Sequence, residues 1–241
     1  MSNPSSPVVA DSAYLLIPAG GKGLRMGGSI PKQFRDWGGR PLLQATLQAF
    51  FAPAMPKILG IALAVPTDQL EEVRRWSFPV PTWVVEGGET RQDSVAAALA
   101  ALPATPDAPV LIHDGVRPFP PAEPIREAIW ALGEWDGAVL GEPSTDTLKR
   151  VDETGRIVAT EPREFIFRAQ TPQVSRLSIW RRAFEQAAQS GYIGTDDVSL
   201  LEHAGLRVKL VPAPSTNLKL TTPKDWELSA PQGVVGEATD R

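Results

Sequence analysis

Tyr14-Leu15-Leu16-Ile17-Pro18-Ala19-Gly20-Gly21-Lys22-Gly23 opens as an apolar run, stops at a proline and passes into glycines. Consecutive apolar residues with no polar alternation fit a strand buried on both faces, as in sheets wrapped by helices. The glycines after it read as the loop where the chain leaves the strand's carboxyl end. Outward from this point the pattern recurs. Residues 58–65, 83–85, 110–112, 138–140 and 207–211 are further strand candidates. Between them lie helical patterns at 42–51 (Leu43, Leu47 and Phe50 on one face), 69–76, 94–102 and 121–135, then 177–190 and 196–204. Strand, loop and helix in this order predict β-α-β units in a doubly wound α/β fold, a mostly parallel sheet flanked by helices. Such sheets bind ligands at the carboxyl ends of their strands. Three strands in turn run into polar loops with glycine there: after Ile17, after Val85 and after Ile112.

Residues 143–171 break the rhythm. Thr147 to Val151 and Arg156 to Thr160 alternate polar and β-branched residues around a turn at Asp152-Glu153-Thr154-Gly155. They predict a projecting β-hairpin arm, fit to grip another subunit or to cover a site. Residues 1–12 read as a disordered leader, 13–228 as one domain carrying the arm at about 143–171, and 229–241 as a flexible tail.

Composition narrows the function. The chain has 241 residues, 42% hydrophobic and 22% charged, with no cysteine, which removes disulfides, thiolate metal sites and a cysteine nucleophile. A net charge of −4 speaks against a nucleic-acid-binding surface. No apolar run approaches the ~20 residues of a membrane span, and the first residues lack a signal-peptide pattern. The expectation is a cytoplasmic protein with neither nucleic acid nor membrane as partner.

Four constellations carry chemistry. The first is the loop Pro18-Ala19-Gly20-Gly21-Lys22-Gly23 with Arg25 and, further on, Pro31-Lys32-Gln33-Phe34. Its glycines let backbone N–H groups approach phosphates, and Arg25 and Lys32 add cations. It is neither a complete dinucleotide fingerprint nor a P-loop, and a structural turn would read similarly. The second is Glu86-Gly87-Gly88-Glu89-Thr90-Arg91-Gln92-Asp93-Ser94, where two glycines admit a flat base or ribose and Ser94 can donate and accept. The same residues fit a turn and helix start, with Thr90 capping and Asp93 completing a capping box. The third is His113-Asp114-Gly115-Val116-Arg117. Asp114 at a strand's carboxyl end can hold Mg²⁺, and Arg117 suits an anionic substrate. An Asp114–Arg117 ion pair that ties the loop fits equally, and His113 reads as structural. The fourth is dispersed over Asp146-Thr147-Leu148-Lys149, Arg163, Ala169 to Gln173, Thr195-Asp196-Asp197 and Asn217-Leu218-Lys219. None of these is specific alone, and Asp196 and Asp197 could simply favour a helix start.

Taken in order, the blocks PAGGKGLRMG, PKQF, GGETRQDSV, HDGVRPF, DTLK, AQTPQ, TDD and NLKLT resemble the 2-C-methyl-D-erythritol 4-phosphate cytidylyltransferase family over residues 14–226. The resemblance implies a Rossmann-like nucleotidyltransferase sheet with an arm that dimerises, and Mg²⁺ as divalent cofactor. It implies nucleotide binding by Pro18, Ala19, Gly20, Gly21, Lys22 and Gly23, and by Gly87, Gly88, Glu89 and Ser94. Arg25 and Lys32 fall on catalytic positions that stabilise charge at the α-phosphate. Arg163 and Lys219 fall on those that position the acceptor, and Asp114, Arg117, Thr147 and Thr171 complete the acceptor site, with Asp114 nearest the metal. The implied substrates are CTP and a polyol phosphate. A ribitol 5-phosphate cytidylyltransferase shares most blocks. A non-catalytic nucleotide-binding module would not need Arg25, Lys32, Asp114 and Lys219 together. An NAD-dependent oxidoreductase would need a fuller glycine fingerprint and an acid better placed than Asp68. Two departures stand out: Gly20 and Val116 occupy positions where alanine is common in the family.

Overall fold

In the computed structural model, which describes residues 11–21, 30–104 and 108–229, strand β1 (Ser12–Pro18) lies inside a seven-stranded sheet. Its alternate side chains feed two cores. Leu15 and Ile17 pack with α1 (Leu42–Ala49), α2 (Leu70–Arg74) and α4 (Ala122–Ala131) on one face. Tyr14 and Leu16 pack with α3 (Arg91–Ala101), α5 (Leu177–Ser190) and α6 (Val198–His203) on the other. Helices on both faces explain why the strand can be apolar throughout. Leu15 has no exposed surface, and truncating a core leucine of this kind to alanine costs about 2–5 kcal/mol.

The strand order is β3 (Thr82–Glu86), β2 (Lys57–Val65), β1, β4 (Pro109–Ile112), β8 (Phe167–Arg176), β5 (Gly137–Pro143) and β9 (Val208–Pro212). From β1 the chain winds outward through β2 to β3, then returns to lay β4 on the other side of β1, parallel to it. The winding therefore reverses between β1 and β4, and a crevice opens at their carboxyl ends. The first and third glycine-containing loops leave the sheet there.

Strand β8 departs from expectation. The sequence pattern extends the arm to about residue 171, yet among the described residues 167–176 form the one strand of the seven-stranded sheet that runs antiparallel to its neighbours, between β4 and β5. Pro172 hides it, because a proline inside a strand removes a ladder donor. Here the missing N–H falls where pairing lapses on both sides. Pairing with β4 ends at Ile112–Gln173, and pairing with β5 skips from Val139–Gln173 to Gly141–Ala169. Polar residues buried on the strand (Gln170, Thr171, Gln173 and Ser175) also mask it.

The hairpin is β6 (Lys149–Val151) and β7 (Ile157–Thr160), a separate antiparallel pair whose residues are nearly all exposed. Gly155 takes φ +84°, a left-handed conformation suited to glycine. Asp152 Oδ1 accepts from the N–H groups of Thr154 (3.0 Å) and Arg156 (3.1 Å), fixing the turn. Helix α4 is shorter than its sequence pattern, ending before the turn at Gly133. A last helix, α7 (Pro223–Ser229), has no counterpart in the sequence reading, although Thr222 and Asp225 cap it reciprocally and Pro223 begins it. No helix among the described residues is long and apolar enough to cross a membrane.

Candidate active site

Five sequence blocks converge on one cleft at the carboxyl ends of β1, β3 and β4. Its walls include Pro18, Ala19, Gly20 and Gly21, then Lys32 and Gln33, Gly88 through Arg91 with Ser94, Asp114 through Val116, and Lys219. Lys22, Gly23 and Arg25 lie outside the described residues.

The glycine loop is held from two sides. The N–H of Ala19 donates to the carbonyl of Ala64 at 2.7 Å, continuing the strand ladder by one residue. The buried Gln33 amide donates to the carbonyls of Ala19 (2.7 Å) and Gly21 (2.8 Å), fixing the loop on either side of Gly20. Against it rests the second loop. A Cβ on Gly87 would lie 2.8 Å from the Cα of Gly20, and one on Gly20 would lie 2.8 Å from Ser94 Oγ. The two backbones touch, so no side chain fits between them. Gly87 itself does not line the cleft. It donates to Val65 at 2.8 Å and supports Gly88 and Glu89, which do. Ser94 is buried; its hydroxyl donates to the Thr90 carbonyl (2.9 Å) and accepts from the Gly88 N–H (3.1 Å). Thr90 and Asp93 form the reciprocal capping box that starts α3. The capping and cleft-lining roles therefore coexist in one loop.

Asp114 lies between three cations: Lys219 Nζ at 2.9 Å, Arg117 Nε at 3.3 Å and Arg91 at 3.5 Å. Burial alone would raise its carboxyl pKa, but Arg91, Lys219 and Arg117 together hold it well below the usual carboxylate range. Among the described residues, no group of three or more His, Asp or Glu side chains is arranged to hold a metal. With both its oxygens facing cations, Asp114 is a cleft carboxylate that would stand beside a divalent ion and not enclose one by itself.

Arg117 is buried and does not line the cleft. It donates to the Asn217 carbonyl at 2.6 Å as well as to Asp114, so it braces the loop. His113 is wholly buried, and burial pushes its pKa down to about 4 against the opposing pull of the Arg117 carbonyl and of Asp114. The Arg117 carbonyl, 3.0 Å from Nε2, can only accept, so the neutral ring carries its proton there. Its Nδ1 then accepts from Thr171 Oγ1 (3.1 Å), which in turn accepts from the Asp114 N–H (3.0 Å). This relay locks the backbone of Asp114 onto β8. Thr171 is thus buried behind the cleft, and Lys219 is the residue of the last block that reaches it.

Thr147 and Arg163 are exposed, and neither lines this chain's cleft. Arg163 donates to the Thr145 carbonyl at 3.0 Å. Lys32 reaches the Leu220 carbonyl at 3.4 Å from across the cleft.

Several residues of the dispersed fourth constellation do much of the positioning. Gln173 ties β8 to the start of α6, donating to Asp196 (2.8 Å) and accepting from the Val198 N–H (2.8 Å). Asn217 donates to Gln170 (2.9 Å) and to the Thr171 carbonyl (2.8 Å). Asp196 accepts from the Ser199 N–H at 3.0 Å, as a residue favouring a helix start would, but Asp197 instead pairs with Arg91. Their signal was in the sequence: each is a polar residue inside one of the ordered blocks.

Comparison with known proteins gives concordant results. The family model described as IspD, 2-C-methyl-D-erythritol 4-phosphate cytidylyltransferase, matches residues 13–231. A 2-C-methyl-D-erythritol 4-phosphate cytidylyltransferase of Acidobacterium capsulatum is 40% identical over 229 residues, covering 90% of this chain and 95% of that protein. The structure of the enzyme of that name from Thermus thermophilus is similar with a TM-score of 0.72 at 32% identity, covering 90% of this chain and 96% of that one. A 4-diphosphocytidyl-2C-methyl-D-erythritol synthase from Anaerococcus prevotii superimposes with a TM-score of 0.77 at 27% identity, covering 91% and 96%.

Proposed function

The chain belongs to the 2-C-methyl-D-erythritol 4-phosphate cytidylyltransferase family, and from that membership we infer that it transfers CMP from CTP to 2-C-methyl-D-erythritol 4-phosphate. The products are 4-diphosphocytidyl-2-C-methyl-D-erythritol and pyrophosphate. The observation that carries this reading is the convergence on one cleft of blocks about 200 residues apart in the chain, from Pro18 to Lys219.

The reaction is a direct displacement. An oxygen of the acceptor phosphate forms a bond to the α-phosphorus of CTP, and the bond from that phosphorus to the bridging oxygen of the β-phosphate breaks. The attacking phosphate is already anionic near neutral pH, so no general base is required. The protein's task is alignment and neutralisation of charge. The backbone at Ala19–Gly21 together with Gly88, Glu89 and Ser94 receives the nucleotide, and Lys32 and Arg25 offset charge at the α-phosphate. Asp114 and Lys219 orient the acceptor, with Arg117 and Thr171 supporting them from behind. Asp114 would stand beside Mg²⁺ carried by the triphosphate, and the ion would supply positive charge to offset that of the departing pyrophosphate. The enzyme acts in the cytoplasm.

Arg163 and Thr147 complete the acceptor site from the hairpin arm of a second copy, making the working unit a homodimer. Their exposure and their separation from their own cleft support this. Two inactive variants, Lys32→Ala and Arg163→Ala, test the arrangement when mixed and re-associated. One site in each mixed dimer then has both intact residues, so random pairing restores about a quarter of wild-type activity. No recovery refutes the shared site.

The activity itself is tested by pyrophosphate release from CTP with Mg²⁺, with methylerythritol 4-phosphate and ribitol 5-phosphate as alternative acceptors. Strong preference for the first is expected. Preference for ribitol 5-phosphate, or release with neither, refutes the assignment.

A further inference from the structure

Arg91 is the first residue of α3, directly after the loop that lines the nucleotide side of the cleft. Its guanidinium bonds to carboxylates carried by two other parts of the chain. Nη1 and Nη2 each lie 2.7 Å from an oxygen of Asp197, a two-pronged pair, and Nη2 lies 3.5 Å from Asp114 Oδ1. The other oxygen of Asp114 receives Lys219 at 2.9 Å and Arg117 at 3.3 Å. The plane of the Asp114 carboxylate is therefore set from opposite sides, and Lys219 takes its place against it. Asp197 is buried at the start of α6, beside Asp196 and within the field of Asp114. Burial lifts its carboxyl pKa above the usual range, Arg91 pulls the other way, and the two neighbouring aspartates add to the rise.

We propose that Arg91 is a positioning residue for the acceptor subsite, orienting the Asp114 carboxylate, and Lys219 with it, while joining the nucleotide loop to the start of α6. The proposal rests on the functional reading above, which assigns Asp114 and Lys219 to the acceptor. A planar guanidinium can serve two carboxylates at once, whereas a lysine ammonium is a single point of charge and cannot span both. The α3 backbone that shapes the nucleotide loop is fixed separately by the Thr90–Asp93 capping box. Loss of the Arg91 side chain should therefore fall on the acceptor and spare CTP.

Steady-state pyrophosphate release, varying each substrate in turn, separates the possibilities for wild type, Arg91→Lys and the double variant Arg91→Gln/Asp197→Asn. The double variant removes the buried carboxylate together with its partner, so it avoids an unpaired buried charge and keeps the test open if a single variant folds poorly. In both variants the KM for methylerythritol 4-phosphate should rise about tenfold or more, while the KM for CTP stays within about twofold. The double variant should melt within a few degrees of wild type without regaining acceptor affinity. Equal changes in both KM values, wild-type behaviour of Arg91→Lys, or recovery of acceptor KM in the double variant would each overturn the proposal. Wild type is the control for its premise. If wild type does not turn over these substrates, the functional reading falls and the proposal with it. If wild type turns over and the variants match it, only the proposal falls.

Discussion

Acidification should cost this protein a defined amount of stability through His113. The ring has no exposed surface, and burial lowers its pKa from 6.5 to about 4. An unfolded chain takes up this proton near pH 6.5, whereas the folded chain resists until near pH 4. The unfolded state therefore binds more protons between these values, and stability falls as pH falls. The contribution is fully present above pH 6.5 and is lost as the pH drops towards the folded value. From the two pKa values the loss is about 1.4 kcal/mol by about pH 5.5 and about 3 kcal/mol by pH 4. Urea unfolding of wild type and His113→Asn near pH 7.5, 5.5 and 4 measures it, because titrations shared by both proteins cancel in the difference. Asp114, two bonds of the relay away, stays ionised across this window because its cations hold it well below the usual range. The wild-type advantage should shrink by about 3 kcal/mol from the highest pH to the lowest. A difference that stays flat with pH would refute the reasoning, since it would mean that His113 takes up a proton as readily in the folded protein as in the unfolded chain.

Gln33→Ala removes both donors that hold the carbonyls of Ala19 and Gly21, at a cost of about 1–3 kcal/mol. Steady-state kinetics should show the KM for CTP rising about tenfold, and an unchanged KM would mean the loop is held by other means. Gly87→Ala puts a methyl 2.8 Å from the Cα of Gly20. Backbone cannot step aside as a flexible side chain can, so calorimetric titration should find CTP binding weakened about ten- to a hundredfold in a protein that still folds. Lys32→Ala should lower kcat by about a hundredfold with little change in the KM for CTP, as expected of charge stabilisation in the transition state. A rise in KM alone would reassign Lys32 to substrate binding.

The parts of this molecule that the sequence announced were those where local chemistry and tertiary role coincide. β1 is apolar because both its faces are covered, so an unbroken run identified it. Helix α5 was bounded correctly at both ends, its buried stripe of Leu177, Trp180, Ala183, Phe184 and Ala187 matching the helical period. The glycine loops were visible for a similar reason, since glycine is what a close approach of two backbones requires. β8 was missed because its two jobs conflict. A central strand should be apolar, but this one must present Gln170, Thr171 and Gln173 to brace the cleft, and it carries a proline.

The same conflict explains what was hard to read in the site. Asp114 was legible as a carboxylate at the carboxyl end of a strand, whereas Lys219 drew a role only from the family resemblance; both line the cleft. Whether Arg117 faced a substrate or tied the loop could not be decided from spacing, because both roles use the same pair of residues. In the structure the deciding contact is the Asn217 carbonyl, 2.6 Å from Arg117 and 100 residues further along the chain. Arg91 illustrates the point more sharply. In sequence it is one charge in a helix start already accounted for by Thr90 and Asp93, so nothing local demanded a partner for it. Its partners, Asp114 and Asp197, arrive from the carboxyl end of β4 and the start of α6. Both come within reach only because the chain winding reverses at β1 and because β8, the strand hidden from the sequence, joins the half of the sheet around β1 to the half that ends in β9. A binding cleft at this place could be expected from strand order alone, but the charges that set its carboxylate depend on a topology that no single segment encodes.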